Sequence, residues 1–74
     1  MNKTRLKRIG DVLARMEEVK EEVAAIMEEE QEALDNMPEG IQSSERGDHM
    51  QNVIDTLSDA ESDIDNAISG LEGI

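Results

Sequence analysis

DNMPEGIQSSERGD, from Asp35 to Asp48, holds the only proline of the chain, two of its five glycines and the serines best placed to cap a helix. Pro38 disfavours a helical conformation at Met37, and Asn36 tolerates the left-handed turn that often ends a helix. Gly40 adds a flexible joint. Ser43 or Ser44 can cap a following helix whose first turn contains Glu45, a position the helix dipole favours for an acid. The stretch therefore reads as a turn between two long helices.

Upstream, Asn2 or Thr4 is expected to cap the first helix. Leu6, Ile9, Leu13, Met16, Val23, Met27 and Leu34 then recur at alternating steps of three and four, with Lys20 and Glu30 in the two missing steps. Such spacing marks one face of a helix. A second row, Val12, Met16, Val19, Val23, Ile26, Ala33 and Met37, widens that face beyond a thin two-stranded seam. Downstream, Met50, Val53, Leu57, Ala60, Ile64, Ala67, Leu71 and Ile74 repeat the pattern, with Ile54 and Ile68 on its flank. Ala60 and Ala67 leave room for a neighbouring helix. Gly10 marks either a close helix contact or nothing, and Gly47 follows unusually soon after the second helix begins.

The expected helices cover residues 4–35 and 44–72, about 48 and 43 Å long at 1.5 Å per residue, with a loop over 36–43. The matched lengths predict an all-α fold, an antiparallel two-helix hairpin forming a single domain over residues 1–74. Charge favours the same orientation. Lys3, Arg5, Lys7 and Arg8 stand at the end of the first helix where the dipole disfavours cations, and Glu28, Glu29, Glu30, Glu32 and Asp35 where it disfavours anions. Folding back places the basic end beside Asp63, Asp65 and Glu72, and the acidic end beside the positive start of the second helix. Ile41, apolar in a polar loop, is expected to close the end of the core together with Met37, so that Ile41→Ser lowers the melting temperature.

The chain has 74 residues and no Phe, Trp or Tyr, so its core must come from aliphatic side chains and methionine. So short a chain buries little surface alone. A hairpin also leaves one side of each apolar stripe open. Dimerisation into a four-helix bundle is expected, through Leu6, Ile9, Leu13, Met16, Val23, Met27, Leu34, Val53, Leu57, Ala60, Ile64, Ala67 and Leu71. With no cysteine there is neither a disulfide framework nor thiolate chemistry. No apolar run approaches the ~20 residues needed to span a bilayer, and no signal-peptide core follows the basic start. A cytoplasmic location is expected.

Nineteen acids against seven bases give a net charge of −12. This disfavours direct binding to nucleic acid or to anionic membrane. It suits a basic protein partner, or it serves solubility alone. Carboxylates on the solvated faces, Glu17, Glu18, Glu21, Glu22, Glu28, Glu29, Glu32, Asp35, Asp55, Asp59 and Asp63, are the candidate contact residues. Rows of them along a rod can imitate the spaced phosphates of duplex DNA.

Catalytic and metal-binding readings are weaker. His49 is the only histidine and has no nucleophile nearby. Asp59, Glu61, Asp63 and Asp65 lack the glycine and distal glutamate of a calcium loop, and alternate residues on a helix diverge. Glu17, Glu18, Glu21 and Glu22 lack the Glu-x-x-His pattern of bundle di-iron sites. No catalytic residue, metal or cofactor is expected, and no enzymatic activity. Glu30, in a core slot, can specify register, pair with Arg46 or Lys20 of a second copy, or lie at a bundle edge. Met1, Met16, Met27, Met37 and Met50, at helical spacing, read as core filling rather than as an adaptable binding surface.

The loop also resembles small acidic proteins of bacteriophages, prophages and integrative elements, in which a similar pattern joins two long helices. Asp35, Asn36, Met37, Pro38, Glu39, Ile41, Gln42, Ser44, Glu45 and Arg46 carry the resemblance, which extends to both helices only by composition. It implies a phage or mobile-element origin and a loop whose geometry matters; the residues themselves assign that loop structure to Asn36, Pro38, Gly40, Ile41 and Ser44. It implies no activity. Two readings follow: an acidic, DNA-mimic-like inhibitor of a host nucleic-acid-binding or defence protein, or a structural self-assembling bundle.

Overall fold

A computed structural model describes residues 2–74, so Met1, grouped above with the core methionines, lies outside the described residues. Three helices follow in order: α1 (Lys3–Asp35), α2 (Glu39–Gln42) and α3 (Glu45–Glu72). The chain is all-α, and α1 and α3 form an antiparallel hairpin 59 × 15 × 12 Å in extent. Leu71 shares a groove with Ile9, and Ile64 shares one with Met16. The longer α1 therefore runs past the end of α3 at the open end of the rod.

Local chemistry sets each boundary. Asn2 caps α1, its side-chain oxygen accepting the Arg5 backbone N–H at 2.8 Å. Ser44 caps α3 by accepting from the Gly47 N–H at 3.5 Å, and its hydroxyl donates to the Ile41 carbonyl. Both satisfy donors that a helix start leaves without partners. At the far end of α1, Asn36 adopts a right-handed conformation (φ −85°, ψ −5°), and none of the described residues has positive φ. The left-handed turn expected at Asn36 is thus not used. Pro38 stops the helix and leads at once into α2.

The loop is consequently more ordered than expected of residues 36–43. The Pro38 carbonyl accepts N–H groups of Ile41 and Gln42 at 2.8 and 3.0 Å. Gly40 sits within this turn of helix, with open space where a Cβ would stand, so no joint depends on it. Gln42 does what the sequence reading did not assign to any residue. Its side-chain amide donates to the carbonyls of Met37 at 2.8 Å and Asp35 at 3.3 Å, tying the turn to the end of α1.

Ile41 corrects a second expectation. It does not close the core: it is 44% exposed, whereas Met37 is half-buried. The helical turn of α2 directs Ile41 away from the α1–α3 seam. Ile41→Ser is therefore expected to change stability by less than about 1 kcal/mol, within the range of exposed substitutions.

Leu34, Ile54 and Ile68 are the buried apolar side chains, and Ile68 at 2% exposure is the most enclosed. Gly47 is buried too, pressed against the backbone of Gln42. Leu13, Met16, Val23, Met27, Val53, Leu57, Ala60, Ile64 and Leu71 are half-buried, whereas Leu6 and Ala67 are exposed. Ile54 and Ile68, read as flanking the seam, lie at its centre. The helix rotates so that branched side chains, not the alanines, meet α1. Gly10 makes no close contact.

Among the described residues one ion pair crosses the hairpin, Lys20 Nζ to Asp65 Oδ1 at 2.8 Å. Asp63 and Glu72 form none with the basic end. The overhang of α1 carries its first cations past the end of α3, and the entropy of long exposed side chains opposes fixed pairing. Lys20 occupies a core slot, its stem half-buried along the seam and its ammonium at the edge. The hydrogen bond to Asp65, aided by the charges of Asp65, Glu17 and Glu61 and opposed by partial desolvation, raises its pKa above the usual 10.5. A raised folded-state value means that its stabilisation is fully present below the unfolded value and is lost as pH climbs through the folded one. Stability of the wild-type chain should thus fall relative to Lys20→Gln above pH 10.5, and the two should run parallel between pH 7 and 9. Melting curves across that range check this.

Candidate interaction faces

Two surfaces stand out, one charged and one apolar. Glu17, Glu18, Glu21, Glu22, Glu28, Glu29, Glu32, Asp35, Asp55, Asp59 and Asp63 are all exposed. They do not converge on one point. Glu28, Glu29, Glu32 and Asp35 surround Ala25 in a shallow depression near the loop end of α1. Asp55, Asp59 and Asp63 follow one another at steps of four along α3, so they share one face of that helix. Two carboxylates are engaged internally: Asp35 accepts from Gln31 at 2.9 Å and Asp55 from Gln51 at 3.1 Å. None of the eleven takes part in the Lys20–Asp65 pair.

The acids are unevenly distributed. Residues 20–60, the loop half of the rod, carry twelve acids and two bases, whereas residues 2–19 with 61–74 carry seven and five. Over half of a 59 Å rod the first group amounts to roughly one net charge per 3 Å, against about one per 1.7 Å for duplex DNA. The open half is close to neutral by comparison.

The apolar surface lies along one flank of the α1–α3 seam. Arg5, Arg8, Ile9, Val12 and Leu71 line a groove at the open end. Val12, Arg15, Met16, Val19 and Ile64 line the next. Continued at helical spacing, the same side of α1 presents Ile26, Glu30 and Ala33. Val19 and Ile26 are 50% and 45% exposed. Farther along α3, His49, Asn52, Val53, Thr56 and Leu57 form a shallow groove, with His49 on the surface. Of the apolar positions expected to self-associate, Leu34 is used up inside the hairpin.

Gln42 and Gly47, which hold the turn, had little signal in the sequence. Gln42 showed itself only as a polar side chain between two caps and as part of the resembling loop pattern, and Gly47 only as a glycine just inside a helix. Among the described residues no group of three or more histidines, aspartates or glutamates is placed to hold a metal ion, and no helix is long and apolar enough to cross a membrane. Comparison of the chain with models of known families, with curated proteins and with solved structures gives no match.

Proposed function

We propose that this chain is a non-enzymatic protein of phage or mobile-element origin that acts by protein–protein contact, its carboxylate-covered rod occupying the basic nucleic-acid surface of a host protein in the cytoplasm. One observation carries the reading: eleven solvent-facing carboxylates, most of them in a loop half whose charge per length is within about a factor of two of duplex DNA. Complementary charge of this kind speeds association and fades with salt. The loop pattern from Asp35 to Arg46 supports the origin, and the shallow, open grooves support contact rather than turnover.

Displacement of a fluorescent DNA duplex from basic bacterial DNA-binding and defence proteins tests the proposal. The chain is expected to compete at low salt and to lose that ability as salt rises. The variant Glu28→Gln/Glu29→Gln/Glu32→Gln should compete roughly tenfold less well, since each exposed charge contact contributes about 0.2–1 kcal/mol. Absence of competition at any salt across such a panel, with phage growth unaffected by deletion of the gene, would overturn it.

The open apolar flank favours a second reading, a structural protein whose product is its own oligomer. Salt separates the two, because burial of apolar surface persists when charge contacts are screened.

A further inference from the structure

We infer that the open apolar flank is covered by a second copy of this chain lying antiparallel to the first, loop end against open end, about a two-fold axis that crosses the rod near Val19 and Ser62. The inference concerns the protein alone and stands whatever the acidic face binds.

Surface area is the first ground. The hairpin exposes 5581 Å² for 8.2 kDa. A compact monomer of that mass exposes about 4,500 Å². The surplus of roughly 1,000 Å² is comparable to the ~800 Å² that each partner buries in an interface of standard size.

Charge gives the orientation. Two hairpins stacked on their apolar flanks by a two-fold have two arrangements. With the axis along the rod, equivalent ends coincide and α1 lies on α3 of the other copy. The strongly acidic loop halves, net −10 each by the counts above, then lie against each other. With the axis across the rod, α1 lies on α1 and each loop half faces an open half of net −2. Arg8, which rims the open-end groove, then lies against the acidic loop half of the other copy.

The pattern of side chains gives the register. Val19 is the midpoint of Lys3–Asp35. Val12 and Ile26 stand at equal steps to either side of it, and so do Arg8 and Glu30. An axis at Val19 thus sets Val12 against Ile26, and Arg8 against the half-buried Glu30, which has no ion-pair partner within the hairpin. On α3 the stripe mirrors about Ser62. Leu57 meets Ala67, Ile64 meets Ala60, and Val53 meets Leu71, so that large side chains face small ones in two of the three pairs. Ile64 lies level with Met16, which brings Ser62 level with Val19 to within about one residue along the rod. The two midpoints, found on separate helices, therefore agree on one axis.

Sedimentation of the purified chain is expected to give twice 8.2 kDa. Because the chain has no cysteine, single introduced thiols report the geometry. Val19→Cys should form a disulfide-linked dimer under mild oxidation. Arg8→Cys alone should not, but mixed with Glu30→Cys it should cross-link. Arg8→Glu and Glu30→Arg should each weaken dimerisation roughly tenfold, and the combined variant should recover most of the loss. Circular dichroism confirms that each variant keeps its helices. A monomer at all concentrations would overturn the inference. So would a dimer that cross-links through Arg8→Cys alone or not through Val19→Cys, or a double variant no better than its parents.

Discussion

Ile68→Ala is expected to lower the melting temperature by about 8–40 °C. Ile68 is 2% exposed and packs toward α1 about one turn from the open end of the seam. Truncating a buried isoleucine to alanine costs about 2–5 kcal/mol, from lost transfer energy and from the cavity left behind. In a domain of this size each kcal/mol corresponds to roughly 4–8 °C. A 74-residue chain has a total stability of only about 4–11 kcal/mol at ordinary values per residue. One substitution thus removes a large share of it. Ile74→Ala is the control: Ile74 is 65% exposed at the chain end and should change little. Both variants must be melted at equal protein concentration, because association contributes to apparent stability. Equal melting temperatures for the two would mean that the seam is not packed as described.

Gly47→Ala is expected to destabilise the fold by about 2 kcal/mol, although alanine is the better helix former. The gain from removing a glycine inside a helix is about 1 kcal/mol. Against it stands a steric conflict. A Cβ at Gly47 would lie 2.5 Å from the Gln42 carbonyl carbon and 2.9 Å from its Cα, and closer still to its oxygen. These are backbone atoms, which cannot swing aside as a side chain can. Moving them also disturbs the Gln42 amide that holds the Asp35 and Met37 carbonyls. Overpacking of this kind costs about 1–3 kcal/mol, and the loosened capping of α1 adds to it. Gly10→Ala isolates the propensity term, because nothing lies within 4 Å of its Cβ position. That variant should be more stable by about 1 kcal/mol. The two glycine variants are expected to move the melting temperature in opposite directions, and movement in the same direction would refute the close contact of Gly47.

Both results turn on tertiary detail, and they show where the sequence stops being sufficient. Apolar spacing, the single proline and the capping residues are local signals. They located α1 and α3 within a residue or so at each end, and the opposed charges of the two ends of α1 indicated antiparallel pairing. The candidate contact acids are likewise on the surface, because a carboxylate outside the apolar stripe has no other low-energy place. Glu30 showed itself as a charge in a core slot, but its surroundings had to be seen before a role could be argued.

Sequence by itself determined that this chain makes two amphipathic helices joined at Pro38, since helix period, capping and the block before proline act over a few residues. Tertiary structure decided which residues of a wide stripe turn inward. Leu34, Ile54 and Ile68 are enclosed, Val19 and Ile26 are left at the flank, and Ile41 points to solvent. A stripe wider than one helix contact allows several rotations about the helix axis. Only the fit of α1 against α3, with Gly47 closed down on Gln42, selects among them.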